Sequence, residues 1–134
     1  MTKLIHIEGI GETYEKKLNG GGLYSVQDLL DKGATAKGRK AIAVKTGISD
    51  ALILKWANRA DLFRVIGIGD QYADLLEAAG VDTVPELAQR KADTLFQKLV
   101  DTNNAKKLVR KLPALSQIKD WVEQAKKLPR LLTY

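Results

Sequence analysis

GIGETYEKKL, residues 9–18, and GIGDQYADLL, residues 67–76, are two writings of one motif. The agreement continues past both. Gly22, Val26 and Leu29 follow the first, and Gly80, Val84 and Leu87 follow the second, always 58 residues apart and without a gap. A repeat of this length sets the architecture before any single element is read. Trp56 and Ala60 match Trp121 and Ala125 at an offset of 65, so the second copy is about seven residues longer. The extra residues are expected around Asp101-Thr102-Asn103-Asn104. The two repeats then cover residues 1–64 and 65–134. No Pro- or Ser-rich linker divides them, so they are expected to pack as one pseudo-symmetric helical body.

Helix signals are dense between the glycines. Glu12 to Leu18 reads as a short helix stopped by Gly20-Gly21-Gly22. Ser25 caps a second over Val26–Lys32. Thr35 caps a third over Ala36–Lys45, and Gly47 closes it. Ser49 caps a fourth, with Leu52, Ile53, Trp56, Ala60 and Phe63 along one face. In the second repeat Asp70–Ala79 is a helix ended by Gly80. Thr83 opens the next, with Pro85 in its first turn and Glu86 at capping-box spacing. Asp93 is expected to cap a segment holding Leu95, Phe96, Leu99 and Val100. Asn104–Leu112 reads as a further helix closed by Pro113. Ser116 is the expected cap of the last, whose inward face is Ile118, Trp121, Val122, Ala125 and Leu128.

The totals exclude several classes. The chain has 134 residues, no cysteine, one histidine and a formal charge of +6. Disulfides and cysteine metal sites are excluded. No apolar run is long enough to span a membrane, and the start does not read as a signal peptide, so the cytoplasm is the expected compartment. The charge is unevenly spread. Residues 1–30 carry a net −1, residues 31–60 +5, residues 61–90 −4 and residues 91–134 +6. Each Gly-Ile-Gly turn is acidic and the segment after it is basic.

The glycines have a physical use. They accept a positive φ and let another backbone come close. The helix that follows begins with unpaired N–H groups and a partial positive charge, which suits a phosphate. Gly9, Gly11, Gly67 and Gly69 are therefore candidate phosphate contacts. Glu12 and Asp70 stand just after the second glycine, where a carboxylate stabilises its own helix and repels an anion. Two readings stay open: a phosphate seat, or a structural corner capped by its own acid. The basic segments are the stronger candidates. Lys37, Arg39 and Lys40 surround Gly38, with Lys45 further on. Lys106, Lys107, Arg110 and Lys111 form a second cluster, in which i, i+4 spacing on the expected helix aligns Lys106 with Arg110 and Lys107 with Lys111. Lys126, Lys127 and Arg130 form a third.

Reactive chemistry is hard to find. His6 sits in a short apolar entry segment and reads as a surface or packing residue. Asp70, Asp74 and Glu77 lie at helical spacing, which surface solubility explains more simply than a metal site. There is no Walker loop and no dinucleotide fingerprint. No catalytic, cofactor or metal residue is assigned. Trp56, Trp121, Tyr14 and Tyr72 read as core.

The chain resembles the helix-hairpin-helix family known as domain of unknown function 4332. The resemblance rests on Ile7-Glu8-Gly9-Ile10-Gly11, on Gly38-Arg39-Lys40 leading to Thr46-Gly47-Ile48-Ser49, on Ala60-Asp61-Leu62 and on Asp120-Trp121-Val122-Glu123. More widely it is similar to tandem helix-hairpin-helix DNA-binding domains, such as the N-terminal domain of archaeal recombinases. The resemblance implies an all-α fold of two tandem helix-hairpin-helix repeats, and nucleic-acid contact. Tyr14 and Tyr72 depart from it, standing where such modules usually carry alanine. The expected function is a non-enzymatic, sequence-independent nucleic-acid-binding protein. Its target is duplex or structured DNA, or RNA, held without sequence preference by the basic clusters with the amides of Gly11 and Gly69 as helpers. The alternative is a helical protein–protein adaptor that uses the same fold as a scaffold.

Overall fold

The computed structural model describes residues 2–134; Met1, where the first repeat begins, lies outside the described residues. Among them the chain forms eight α-helices and no strand beyond one isolated bridge between Lys3 and Ser25. It divides into two compact units. The first is Met1–Asp61 together with Leu131–Tyr134, and the second is Leu62–Arg130.

The first unit opens with a 3-10 turn, Leu4–His6, then α1 (Glu12–Gly20), α2 (Val26–Lys32), α3 (Ala36–Thr46) and α4 (Asp50–Leu62). Its caps are the residues that short polar side chains predict. Ser25 Oγ accepts from the Asp28 N–H at 3.1 Å, and Thr35 Oγ1 from the Gly38 N–H at 3.0 Å. Ser49 Oγ accepts from the Leu52 N–H at 3.3 Å. Gly47, at φ 74°, ends α3 in the left-handed region. Between α3 and α4 only three residues intervene, and the middle one, Ile48, is buried. Leu4, Ile7, Ile10, Leu18, Leu29, Ile53 and Trp56 are all buried in this unit. The tail belongs to this unit. Leu132 is buried, and the Thr133 N–H donates to the Ala34 carbonyl at 2.8 Å.

The second unit holds α5 (Asp70–Ala78), α6 (Val84–Ala88), α7 (Ala92–Lys106) and α8 (Leu115–Lys127). Ile68, Leu76, Val84, Leu99, Ile118 and Trp121 lie in one buried cluster. Three sequence expectations are corrected here. Asn104–Leu112 is not a helix. Instead α7 runs through Asp101–Asn104 to Lys106, and residues 107–114 form an irregular connection. Lys107 turns the chain at φ 51°, the single non-glycine residue at positive φ among those described. The Asn103 side chain then clasps Val109, accepting its N–H at 3.0 Å and donating to its carbonyl at 3.1 Å. These bonds give the backbone an alternative to the helical ladder. Second, α7 starts one residue before Asp93, with Lys91 at its N-cap. Third, α8 starts before Ser116, with Ala114 at its N-cap and the Gln117 side chain accepting the Ala114 N–H at 2.8 Å. Helix α7 has 15 residues against the 11 of α3, and the connection after it is longer than the one after α3.

The same backbone bonds recur 58 residues on. Ile10 N–H to Ile7 carbonyl is repeated by Ile68 to Val65, and Leu23 to Leu18 by Val81 to Leu76. Lys32 Nζ donates to the Gly22 carbonyl at 2.9 Å, and Arg90 Nη2 to the Gly80 carbonyl at 3.1 Å.

Candidate functional site

Each Gly-Ile-Gly turn rests on a tryptophan. Gly9 and Gly67 take φ 93° and 102°, while Ile10 and Ile68 are buried beneath the turn. A Cβ on Gly9 would lie 3.4 Å from Nε1 of Trp56, and one on Gly67 only 2.9 Å from Nε1 of Trp121. Tyr14 meets Trp56 edge-on at 5.1 Å between ring centres, and Tyr72 meets Trp121 at 5.4 Å. Such aromatic pairs stabilise by about 0.5–1.5 kcal/mol beyond burial. The first glycine of each turn is therefore committed to packing. The second is not. Gly11 and Gly69 are exposed, extended, at the N-cap of α1 and α5, and a Cβ on either meets nothing within 4 Å.

The acids after these glycines behave differently. Glu12 pairs with Lys16 at 3.5 Å, one turn along α1, so its charge leans away from the cap. Asp70 Oδ1 accepts the Gln71 N–H at 2.9 Å and so holds an amide of its own helix start. Gly11 and Gly69, having no side chain, supply no side-chain cap to the helices they open.

Helix α3 carries the first basic cluster. It contains no acid, and Lys37, Lys40, Ala41, Val44 and Lys45 are all exposed. Positions 37, 40, 41 and 44 share one helical face, with Lys45 beside them. Arg39 does not belong to it. It lies on the opposite side, 5% exposed, which removes it from solvent and from the expected cluster. Its guanidinium donates to the carbonyls of Gly33 at 2.8 Å, Ala34 at 3.2 Å and Thr133 at 2.6 Å, and lies over the Tyr134 ring. A rigid five-donor fork suits this cluster of carbonyls.

Lys106, Lys107, Arg110 and Lys111 are exposed, but not as helical neighbours. Lys106 ends α7 and the other three lie on the irregular connection, so the expected i, i+4 alignment does not exist. This connection lies against α5, because the Tyr72 hydroxyl donates to the Lys111 carbonyl at 3.2 Å. The basic loop thus meets the helix that follows Gly67 and Gly69. None of Lys37, Lys40, Lys45, Lys106, Lys107, Arg110 or Lys111 is bonded to a carboxylate among the described residues. In the third cluster Lys126 pairs with Glu123 at 3.4 Å. His6 is exposed. Asp70, Asp74 and Glu77 each hold an intramolecular contact. No helix among the described residues is long and apolar enough to cross a membrane.

No curated protein and no solved structure matches the chain. The model of the family described as domain of unknown function (DUF4332) matches residues 8–128, and the chain belongs to that family.

Proposed function

We propose that this chain is a non-enzymatic protein that binds nucleic acid without reading its sequence. It contacts phosphates through the exposed face of α3 and the loop after α7. The helix-hairpin-helix reading adds the amides at Gly11 and Gly69 as helpers. The carrying observation is that these cations are exposed and unpaired. Phosphates neutralised by such cations release their condensed counterions, which drives binding. Phosphate contacts fix position and carry no sequence information, so the target is DNA of any sequence. In this reading the protein acts in the cytoplasm.

The test is fluorescence anisotropy against duplex, single-stranded and junction DNA and an RNA hairpin, at two salt concentrations. Changing Lys37, Lys40 and Lys45 together to alanine should lower duplex affinity. The slope of log K against log salt should flatten by about 2.7, roughly 0.9 for each contact. An unchanged slope would refute the assignment of α3. Arg39 is left intact in this variant because its loss acts on the fold.

The second reading is a protein–protein adaptor. Asp70 favours it, since its carboxylate already holds an amide at the second turn. Val44 and Ile66, each 81% exposed, favour it too. Sedimentation at low salt separates the readings: an assembly indifferent to added DNA supports the adaptor.

A further inference from the structure

The second unit contains a cavity of about 490 Å³ between the start of α5 and the loop after α7. Gln71, Asn103, Asn104, Lys107, Leu108, Val109 and Arg110 form its walls. No carboxylate lines it. The walls are held in place before any ligand arrives. The Asn103 amide clasps both backbone groups of Val109, and Tyr72 fixes the loop at Lys111. Lys107 is kept in the left-handed region, a conformation that persists in a non-glycine residue when its surroundings impose it. The side chains of Gln71, Asn104, Lys107 and Arg110 are bonded to nothing else among the described residues.

This chemistry is specific enough to name a ligand class. Two cations without a nearby lining acid suit a group carrying about two negative charges, as a phosphomonoester does near pH 7. An internal phosphodiester carries one charge and follows a surface such as that of α3. A concave site admits a group that projects, which is an end. The carboxamides of Gln71 and Asn104 each offer donors and an acceptor, matching the edge of a nucleobase. The volume lies within the range of small-molecule sites, about 300–1,000 Å³.

We infer that this cavity takes a nucleotide bearing a terminal phosphate, with Lys107 and Arg110 on the phosphate and Gln71 and Asn104 on the base. The strand-end source rests on the nucleic-acid reading; a free nucleoside monophosphate does not. The experiment measures a single-stranded oligonucleotide unphosphorylated, 5′-phosphorylated and 3′-phosphorylated, with AMP and adenosine measured separately. One phosphorylated end should bind about tenfold more tightly than the unphosphorylated strand. Lys107→Ala with Arg110→Ala should abolish that difference, whereas Lys37→Ala with Lys40→Ala should weaken all three strands and preserve it. Circular dichroism checks that each variant is folded, and Lys107→Gly replaces Lys107→Ala if the latter is not. Strands that bind equally well with and without a terminal phosphate, and no binding of AMP, would overturn the inference and leave the nucleic-acid reading standing. Binding of AMP over adenosine with no strand bound supports the cavity and overturns the strand-end source. Failure of strands and AMP alike overturns the inference, and duplex anisotropy at low salt then decides the nucleic-acid reading separately.

Discussion

A methyl group at Gly67 meets the indole Nε1 of Trp121 at 2.9 Å, on a backbone at φ 102°. The same group at Gly11 meets nothing within 4 Å, at φ −89°. Two glycines of one motif therefore do different work. Gly67→Ala forces a strained φ and displaces a packed ring, so it should destabilise by about 1–3 kcal/mol. Gly11→Ala should lower stability by less than about 1 kcal/mol, the worth of an N-cap preference. If phosphate approaches the turn closely, Gly11→Ala should nonetheless weaken DNA binding severalfold. Urea denaturation and anisotropy on both variants separate the effects. Loss of binding only in step with stability would deny the backbone a part. At Lys107, glycine removes a left-handed side chain and should stabilise by about 0.5–1 kcal/mol, while losing a cation the loop presents.

At the scale of elements, the tail from Leu131 to Tyr134 acts on α3 through one side chain. Arg39 bonds the Thr133 carbonyl, Leu132 is buried, and the Tyr134 hydroxyl donates to Asn58 at 2.9 Å. Ending the chain at Arg130 should destabilise the first unit by about 3 kcal/mol, chiefly the burial of one leucine and one charge-assisted bond. Arg39→Met should cost a similar amount, since it strips a buried donor from three carbonyls. Combined, the two should cost less than their sum, because both remove the Arg39–Thr133 bond. Full additivity in urea titrations would show that the tail and Arg39 act separately. None of this was legible in the sequence, because a contact across 94 residues leaves no local pattern. Local chemistry was legible: Ser25, Thr35, Gly47 and Ser49 announce their helix ends by side-chain type alone. The loop after α7 misled for a physical reason. Leu108, Val109 and Leu112 keep helical spacing, yet Asn103 captures the backbone of Val109 and stops the ladder. Of the candidate site, the lysines of α3 could be read as a basic segment. The inward turn of Arg39 could not, because charge patterning does not say which cations find internal acceptors. The cavity was hidden with the loop that forms it.

For the whole molecule, the division into units is unequal in chain terms. The second unit, Leu62–Arg130, is one continuous segment that carries its own buried cluster. The first is assembled from two pieces, and the smaller supplies Leu132 and an acceptor for Arg39. Domains of about 60 residues bury only about 60% of the surface of their unfolded chain, so each contribution weighs heavily. A fragment of residues 62–130 should fold alone and unfold cooperatively in urea. A fragment of residues 1–61 should be unfolded or nearly so under the same conditions, although it contains the more basic helix face. A peptide of residues 129–134 added to it should raise its stability as the logarithm of peptide concentration, since it binds only the folded form. If the 1–61 fragment shows the same urea midpoint with and without that peptide, the tail is an ornament of the first unit. The buried charge of Arg39 must then find a different acceptor within the fragment.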